Sequence, residues 1–208
     1  MNIIKNTIEH PDTHISAPPP KKESLWDIVK FMVLALVIVL PIRMFIAQPF
    51  LVQGRSMDPT LKNHDYLIVD ELSYHLREPR RGEVIVFRFP GNPKEHFVKR
   101  VIGLPGDTLS IVNGKVTVTT QDNEVLTLDE PYVTNHSYES LVDITVPKDQ
   151  LFVMGDNRSE SYDSRMWKFL PRTLATGRAL LRLYPFKTME YLPGEHVYPD
   201  TISSSYNN

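Results

Sequence analysis

The sequence predicts a mainly β domain that follows a single N-terminal apolar helix. Three observations carry this expectation. The segment Trp26 to Ala47 contains an uninterrupted apolar run from Phe31 to Ile42. Beyond it, short runs rich in Val, Ile, Phe and Tyr recur between breaks that carry Gly, Pro or Asn, and helical periodicity is scarce. Asn113-Gly114 separates the runs Leu109 to Val112 and Lys115 to Thr119, and Asn-Gly is the pair that suits a type I′ hairpin turn.

Residues 1–25 are polar, carry Pro18-Pro19-Pro20 and show no hydrophobic period, so they are expected to form a disordered tail. The segment 26–47 follows, with Asp27, Lys30 and Arg43 as its charges. Twenty-two residues at ~1.5 Å each reach ~33 Å, enough to cross a bilayer if Lys30 and Arg43 snorkel to opposite interfaces. A cleaved signal peptide or a buried core helix would show a similar run. A cleaved signal would need a small-residue site after it, and the chain continues Gln48-Pro49-Phe50-Leu51-Val52, which favours a retained transmembrane anchor. Lys21, Lys22 and Lys30 precede the run and Arg43 closely follows. The positive-inside bias then puts the N-terminus in the cytoplasm and the rest outside.

After the anchor, Phe50 to Val52 read as a strand ending in a turn that displays Ser56, with Pro59 barring a regular helix. Tyr66 to Val69 and Glu83 to Phe89 read as paired strands. His96 to Ile102 reads as another, with Lys99 on the face of Phe97 and Val101. The hairpin around Asn113-Gly114 opens a modest insertion, about 108–148. Leu151 to Met154 form a short apolar strand, Gly155 to Arg165 a dense polar loop and Ala179 to Tyr184 a last strand. Residues 187–208 form a tail without a readable signal, which places the main domain at 48–186.

The 208 residues are 41% hydrophobic, ample for a buried core. A formal charge of −2 and the lack of a basic stripe give no reason to expect nucleic acid as partner. The absence of cysteine excludes disulfides and thiolate metal sites.

A serine hydroxyl is a poor nucleophile until a base takes its proton. His64 and His96 lie near the candidate stretches, but the sequence has no Gly-x-Ser-x-Gly elbow and no Ser-x-x-Lys, which disfavours the α/β-hydrolase and penicillin-binding arrangements. The histidines are expected to be surface or structural residues. Lys99 is the other candidate base. Strand spacing alone favours an exposed lysine paired with a carboxylate, whereas in an apolar setting desolvation would lower its pKa and free its lone pair.

Three stretches taken together, FLVQGRSMDPTL from Phe50, HFVKRVIGLPGD from His96 and GDNRSESYDSR from Gly155, resemble those of bacterial type I signal peptidases. These are membrane-anchored Ser/Lys proteases that remove signal peptides from exported proteins. The match runs from about Trp26 to Pro185. The resemblance implies a signal-peptidase-type catalytic β domain with Ser56 as nucleophile through an acyl-enzyme and Lys99 as general base. It gives Ser161 the task of orienting the amine, and Asp163 would pair with Arg158 or Arg165 to hold the loop beneath the site.

By the same resemblance Phe50, Val52, Met57, Leu61, Phe97 and Val98 would line shallow pockets for small side chains at −1 and −3 of the substrate, which would add as an extended strand. Many relatives carry a hydroxyl residue at position 54. Here it is Gly54, whose N–H is the expected second oxyanion donor beside that of Ser56. Met166, Trp167 and Phe169 would either dip into the lipid interface or, for Trp167, be buried. The implied partners are the signal peptides of secretory preproteins and the lipid bilayer, with the chain a monomer in the inner membrane and no cofactor or metal. Two other readings compete: a self-cleaving repressor of related Ser/Lys fold, which would need a helix-turn-helix where the apolar run lies, and a catalytically silent β module that binds exported chains.

Overall fold

The computed structural model describes residues 25–41, 48–137 and 139–198. Helix α1, Leu25–Pro41, is 17 residues long and at ~1.5 Å per residue covers ~25 Å. Its apolar side chains from Leu25 to Val39 are exposed. Among the described residues no helix is long and apolar enough to cross a membrane. Residues 42–47, where the expected anchor continues, and the expected tail before Leu25 lie outside the described residues.

The second unit is built on two antiparallel sheets. The larger follows the order β1 (Gln48–Leu51), β2 (Tyr66–Asp70), β11 (Ala175–Tyr184), β3 (Val84–Phe89), β4 (Asn92–Gly103), β9 (Gln150–Met154) and β10 (Leu170–Pro171), with β12 (Glu190–Tyr191) added to β11. Strand β3 reads Val-Ile-Val-Phe and buries all four of these side chains, as expected of a central strand covered on both faces. The smaller sheet, in the order β7 (Val125–Thr127), β6 (Lys115–Thr119), β5 (Thr108–Val112) and β8 (Leu141–Thr145), alternates buried and partly exposed residues in β5 and β6, the pattern of a sheet with one dry face. Asn113 and Gly114 have φ of 51° and 77°, the two positive values that a type I′ turn needs.

The expected insertion at 108–148 is therefore a sheet of its own. Its dry face packs Leu109, Ile111, Val116 and Val118 against Ile102, Phe152 and Met154. A second cluster lies around Ile85, Phe87, Val101 and Val153. A third, of Val52, Met57, Leu61, Leu67, Val84 and Ala179, lies under the turn after β1. The C-terminal boundary expected at 186 shifts. Tyr198 is 3% exposed and belongs to the first cluster, and His196 N–H donates to Gly82 O, so the described part of the tail is integral to this unit.

β1 is an edge strand of the larger sheet, and β4 pairs with β9 only over Arg100 to Gly103. The first half of β4 is paired with β3 alone among the described strands. These two edges frame the site.

Candidate active site

The turn after β1 is fastened from beneath. Asp58 N–H donates to Arg55 O at 3.1 Å and Leu61 N–H to Met57 O at 2.9 Å, while Met57 and Leu61 are 1% and 0% exposed. Ser56, between these anchors, is held partly exposed. Gly54 has φ +96°, a conformation that side chains with a Cβ seldom adopt.

Lys99 reaches Ser56 from β4. Its Nζ donates to Ser56 Oγ at 2.7 Å and to Val98 O at 3.0 Å, and it lies 5.4 Å from the centre of the Phe97 ring. Lys99 is 4% exposed. Burial lowers its pKa to about 8, against the opposing pull of Asp163 and Asp156 and with help from Arg165. A large neutral fraction then exists near pH 8, and its lone pair stands at hydrogen-bond distance from the hydroxyl.

The loop Gly155 to Arg165 ties down the turn that carries Ser56 and sets the charges around Lys99. Asn157 N–H donates to Ser56 O at 3.0 Å, and its Nδ2 to Arg55 O at 3.1 Å. Asp163 takes both ends of the Arg165 fork at 2.9 and 2.8 Å and accepts Gly155 N–H at 3.0 Å. Arg158 pairs instead with Glu130, in the segment after β7, and donates from Nε to Gly155 O. Arg100 makes a forked pair with Asp156 at 2.8 and 2.6 Å, and Asp156 also accepts Thr60 Oγ1 from the turn after β1. These ion pairs are nearly solvent-free, so breaking either partner would leave an uncompensated buried charge.

Between the edges of β1 and β4 runs a groove of about 580 Å³. Phe50, Val52, Leu67, Val86 and Val98 give it apolar walls, and Ser56 and Lys99 lie in it. His96 stacks near Phe50, with ring centres 5.2 Å apart, and His64 is exposed beside Asn63.

A serine hydroxyl hydrogen-bonded to a buried lysine lines this groove, and comparison with known proteins finds a family of peptidases. The family model "Signal peptidase, peptidase S26" matches residues 25–184. The chain belongs to this signal peptidase family. It is 38% identical over 190 residues to "Probable signal peptidase I-2" of Synechocystis, covering 88% of this chain and 82% of that one. With "Signal peptidase I" of Leptolyngbya laminosa it shares 39% identity over 187 residues, 86% of this chain and 90% of that one. A crystal structure of a signal peptidase I from Enterococcus faecalis aligns over 49% of this chain and 97% of its own, with 28% identity and a TM-score of 0.42. Membership makes the protein a serine peptidase that cleaves signal peptides.

Within this signal peptidase the sequence-derived residues divide. Ser56, Lys99, Phe50, Val52, Phe97, Val98 and Gly54 all border the groove. Met57 and Leu61 do not: they are core residues supporting the turn, because the turn's short period directs its apolar side chains inward. Gly54 N–H donates to Asn63 Oδ1 at 3.0 Å and is thereby committed to its own loop, which argues against its service as an oxyanion donor. Ser161 Oγ is buried with no hydrogen-bond partner among the described residues, and the bond expected from it to the amine is not formed, Lys99 being turned to Ser56 and Val98. Asp163 takes Arg165 and not Arg158. Met166 is exposed, whereas Trp167 packs on Phe87 and Phe89 and Phe169 on Phe152.

Sequence reasoning missed Leu67 and Val86 in the groove walls, which only strand order brings there. It also missed the Arg100–Asp156 pair, although Asp156 stands in the quoted loop motif. Gly155 was passed over as well: a Cβ there would run into Ser161 Oγ and Ser56 O.

Proposed function

We propose that Ser56 is the nucleophile and Lys99 the general base of signal peptide cleavage. The observation that carries this is the 2.7 Å contact between Lys99 Nζ and Ser56 Oγ, with the amine buried and its pKa brought down to about 8. Neutral Lys99 takes the hydroxyl proton as Oγ attacks the scissile carbonyl carbon. The tetrahedral species collapses when the protonated amine gives that proton to the leaving nitrogen of the mature chain, and the signal peptide remains as an ester on Ser56. Lys99, neutral again, deprotonates water, which attacks the ester, and the signal peptide leaves as a carboxylic acid while Ser56 recovers its proton. The N–H of Ser56 is the oxyanion donor we assign.

The substrate adds as a strand between the edges of β1 and β4, where main-chain groups are open to pairing. Its −1 and −3 side chains face the walls made by Val52, Val98, Phe50, Leu67 and Val86, which favour small residues. Segment 26–47 serves as a single-span anchor with the N-terminus in the cytoplasm and residues 48–198 on the far side. The exposed apolar surface of α1 and the lysines that precede it support that reading. Ser161, in the loop beginning at Gly155, orients the amine when substrate binds, and Arg165–Asp163 supports that loop.

The test is a secretory precursor incubated with detergent-solubilised protein. Wild type should yield a mature chain with its new N-terminus after small −1 and −3 residues, and Ser56→Ala should yield none. Equal product from Ser56→Ala would refute the assignment.

A further inference from the structure

Arg100, next to the base on β4, is 0% exposed, and a buried guanidinium must find acceptors for its whole fork. Nε and Nη2 go to Asp156, and Nη1 donates to Gly82 O at 2.8 Å and to Gly194 O. The guanidinium carbon lies 3.7 Å over the Tyr132 ring. One of these acceptors comes from the C-terminal segment, which the proposed chemistry does not use.

That segment fits closely. Gly194 has φ +72° and lies where a Cβ would run into Thr60 of the nucleophile turn, and a Cβ at Gly82 would strike His196 O. Tyr198 is buried and its hydroxyl lies 2.6 Å from that of Tyr132, which itself donates to Glu130 Oε1 at 3.0 Å. Tyr198 is therefore the donor of the pair. Burial raises its pKa to about 12 and pushes that of Tyr132 up as well, so both hydroxyls keep their protons at working pH.

We propose that Leu192 to Tyr198 is a strap that positions the nucleophile, with Tyr198 as its anchoring positioning residue. Two routes lead from it to Ser56. Gly194 O completes Arg100, which holds Asp156, which takes Thr60 Oγ1 from the turn after Ser56. Tyr198 orders Tyr132, which donates to Glu130; Glu130 holds Arg158, and Arg158 Nε fixes Gly155 O in the loop that grips Ser56 O through Asn157. Loss of the strap exposes a buried ion pair to water and leaves the nucleophile less well aimed, while the groove walls on β1 and β4 stay intact. Misplacement of a reacting group by about 1 Å can cost on the order of 100-fold.

The inference rests on Ser56 being the nucleophile, and its test separates the two. Initial rates on a precursor are measured for the full chain, Tyr198→Phe, Tyr132→Phe, the double variant, a chain ending at Tyr191 and Ser56→Ala. The expected results are a three- to tenfold lower kcat for each Phe variant with KM within twofold, and no loss in the double variant beyond that of Tyr132→Phe, because Tyr198 acts through the Tyr132 hydroxyl. The shortened chain should lose more than tenfold. If wild type cleaves and Ser56→Ala does not, but Tyr198→Phe matches wild type, the strap proposal fails and the catalytic assignment stands. Additive losses, or a rise in KM in place of a fall in kcat, would overturn it too. Should the shortened chain fail to fold, the Phe variants still decide. If wild type and Ser56→Ala behave alike, the catalytic assignment falls and the strap with it.

Discussion

Asn157 holds Ser56 from behind: its N–H donates to Ser56 O at 3.0 Å while its side-chain amide donates to the preceding carbonyl, Arg55 O, at 3.1 Å. Two adjacent peptide units of the turn that carries Ser56 are thus tied to one residue of the opposite loop. Asn157→Ala keeps the first bond and loses the second, a net loss of ~1 kcal/mol in stability. The expected outcome is a drop of about tenfold in kcat with KM little changed, read from initial rates on a precursor peptide, because the groove walls are untouched.

Gly54 and Gly155 should respond to alanine in different ways. At Gly54 a Cβ meets nothing within 4 Å, so crowding is absent and the cost is the strained φ of +96°, about 1–3 kcal/mol. At Gly155 the Cβ collides with Ser56 O and Ser161, and the loop must move off the nucleophile. Gly155→Ala should therefore lower kcat by more than 100-fold, and Gly54→Ala by far less. Parallel kinetics and thermal melts would show whether the order is reversed.

How far the sequence reached depends on what each part needs. The Asn113-Gly114 hairpin was readable because the turn chemistry is local, and strand Lys115–Thr119 was located to the residue. Strands β7 and β8 were not, since β7 is three residues long and only pairing with β6 defines it. Met57 and Leu61 show the limit of apolarity as a guide: it says that a side chain avoids water, not whether protein or substrate covers it. Spacing alone favoured an exposed Lys99, because its electrostatic environment depends on the loop beginning at Gly155, more than 50 residues further on. The strap contributes one carbonyl and one tyrosine hydroxyl, which no local pattern announces.

Asp163 raises the pKa of Lys99 by its charge, second only to the lowering by burial, and Arg165 lowers it. Asp163→Asn removes the negative charge while the Arg165 cation stays, so the pKa of Lys99 falls further. The acidic limb of kcat/KM against pH should move to lower pH than in wild type. The same variant should lose ~3–5 kcal/mol of stability, since it leaves a buried guanidinium unpaired. A limb that moves upward, measured on the folded fraction, would contradict the electrostatic account.

The last expectation concerns the stability that the base costs the fold. Lys99 has a folded pKa of about 8 against an ordinary 10.5, so the folded state disfavours its proton. Below pH 8 the lysine is charged in both states, and the penalty of burying that charge, ~3 kcal/mol at this shift, is fully present. Between pH 8 and 10.5 the unfolded chain holds a proton that the folded chain has given up, so this group's contribution to stability rises with pH and levels off above 10.5. Lys99→Met removes the charge and keeps an apolar side chain of similar length. It should therefore be inactive yet more stable than wild type at pH 7, and the difference should shrink as pH climbs from 8 to 10.5. Lys99→Arg should be inactive and less stable, because a guanidinium stays charged throughout. Urea unfolding of the three proteins at pH 7, 9 and 10.5 gives the comparison. If Lys99→Met is destabilised equally at all three, the lysine is not buried against its charge and its role as a neutral base loses its physical basis.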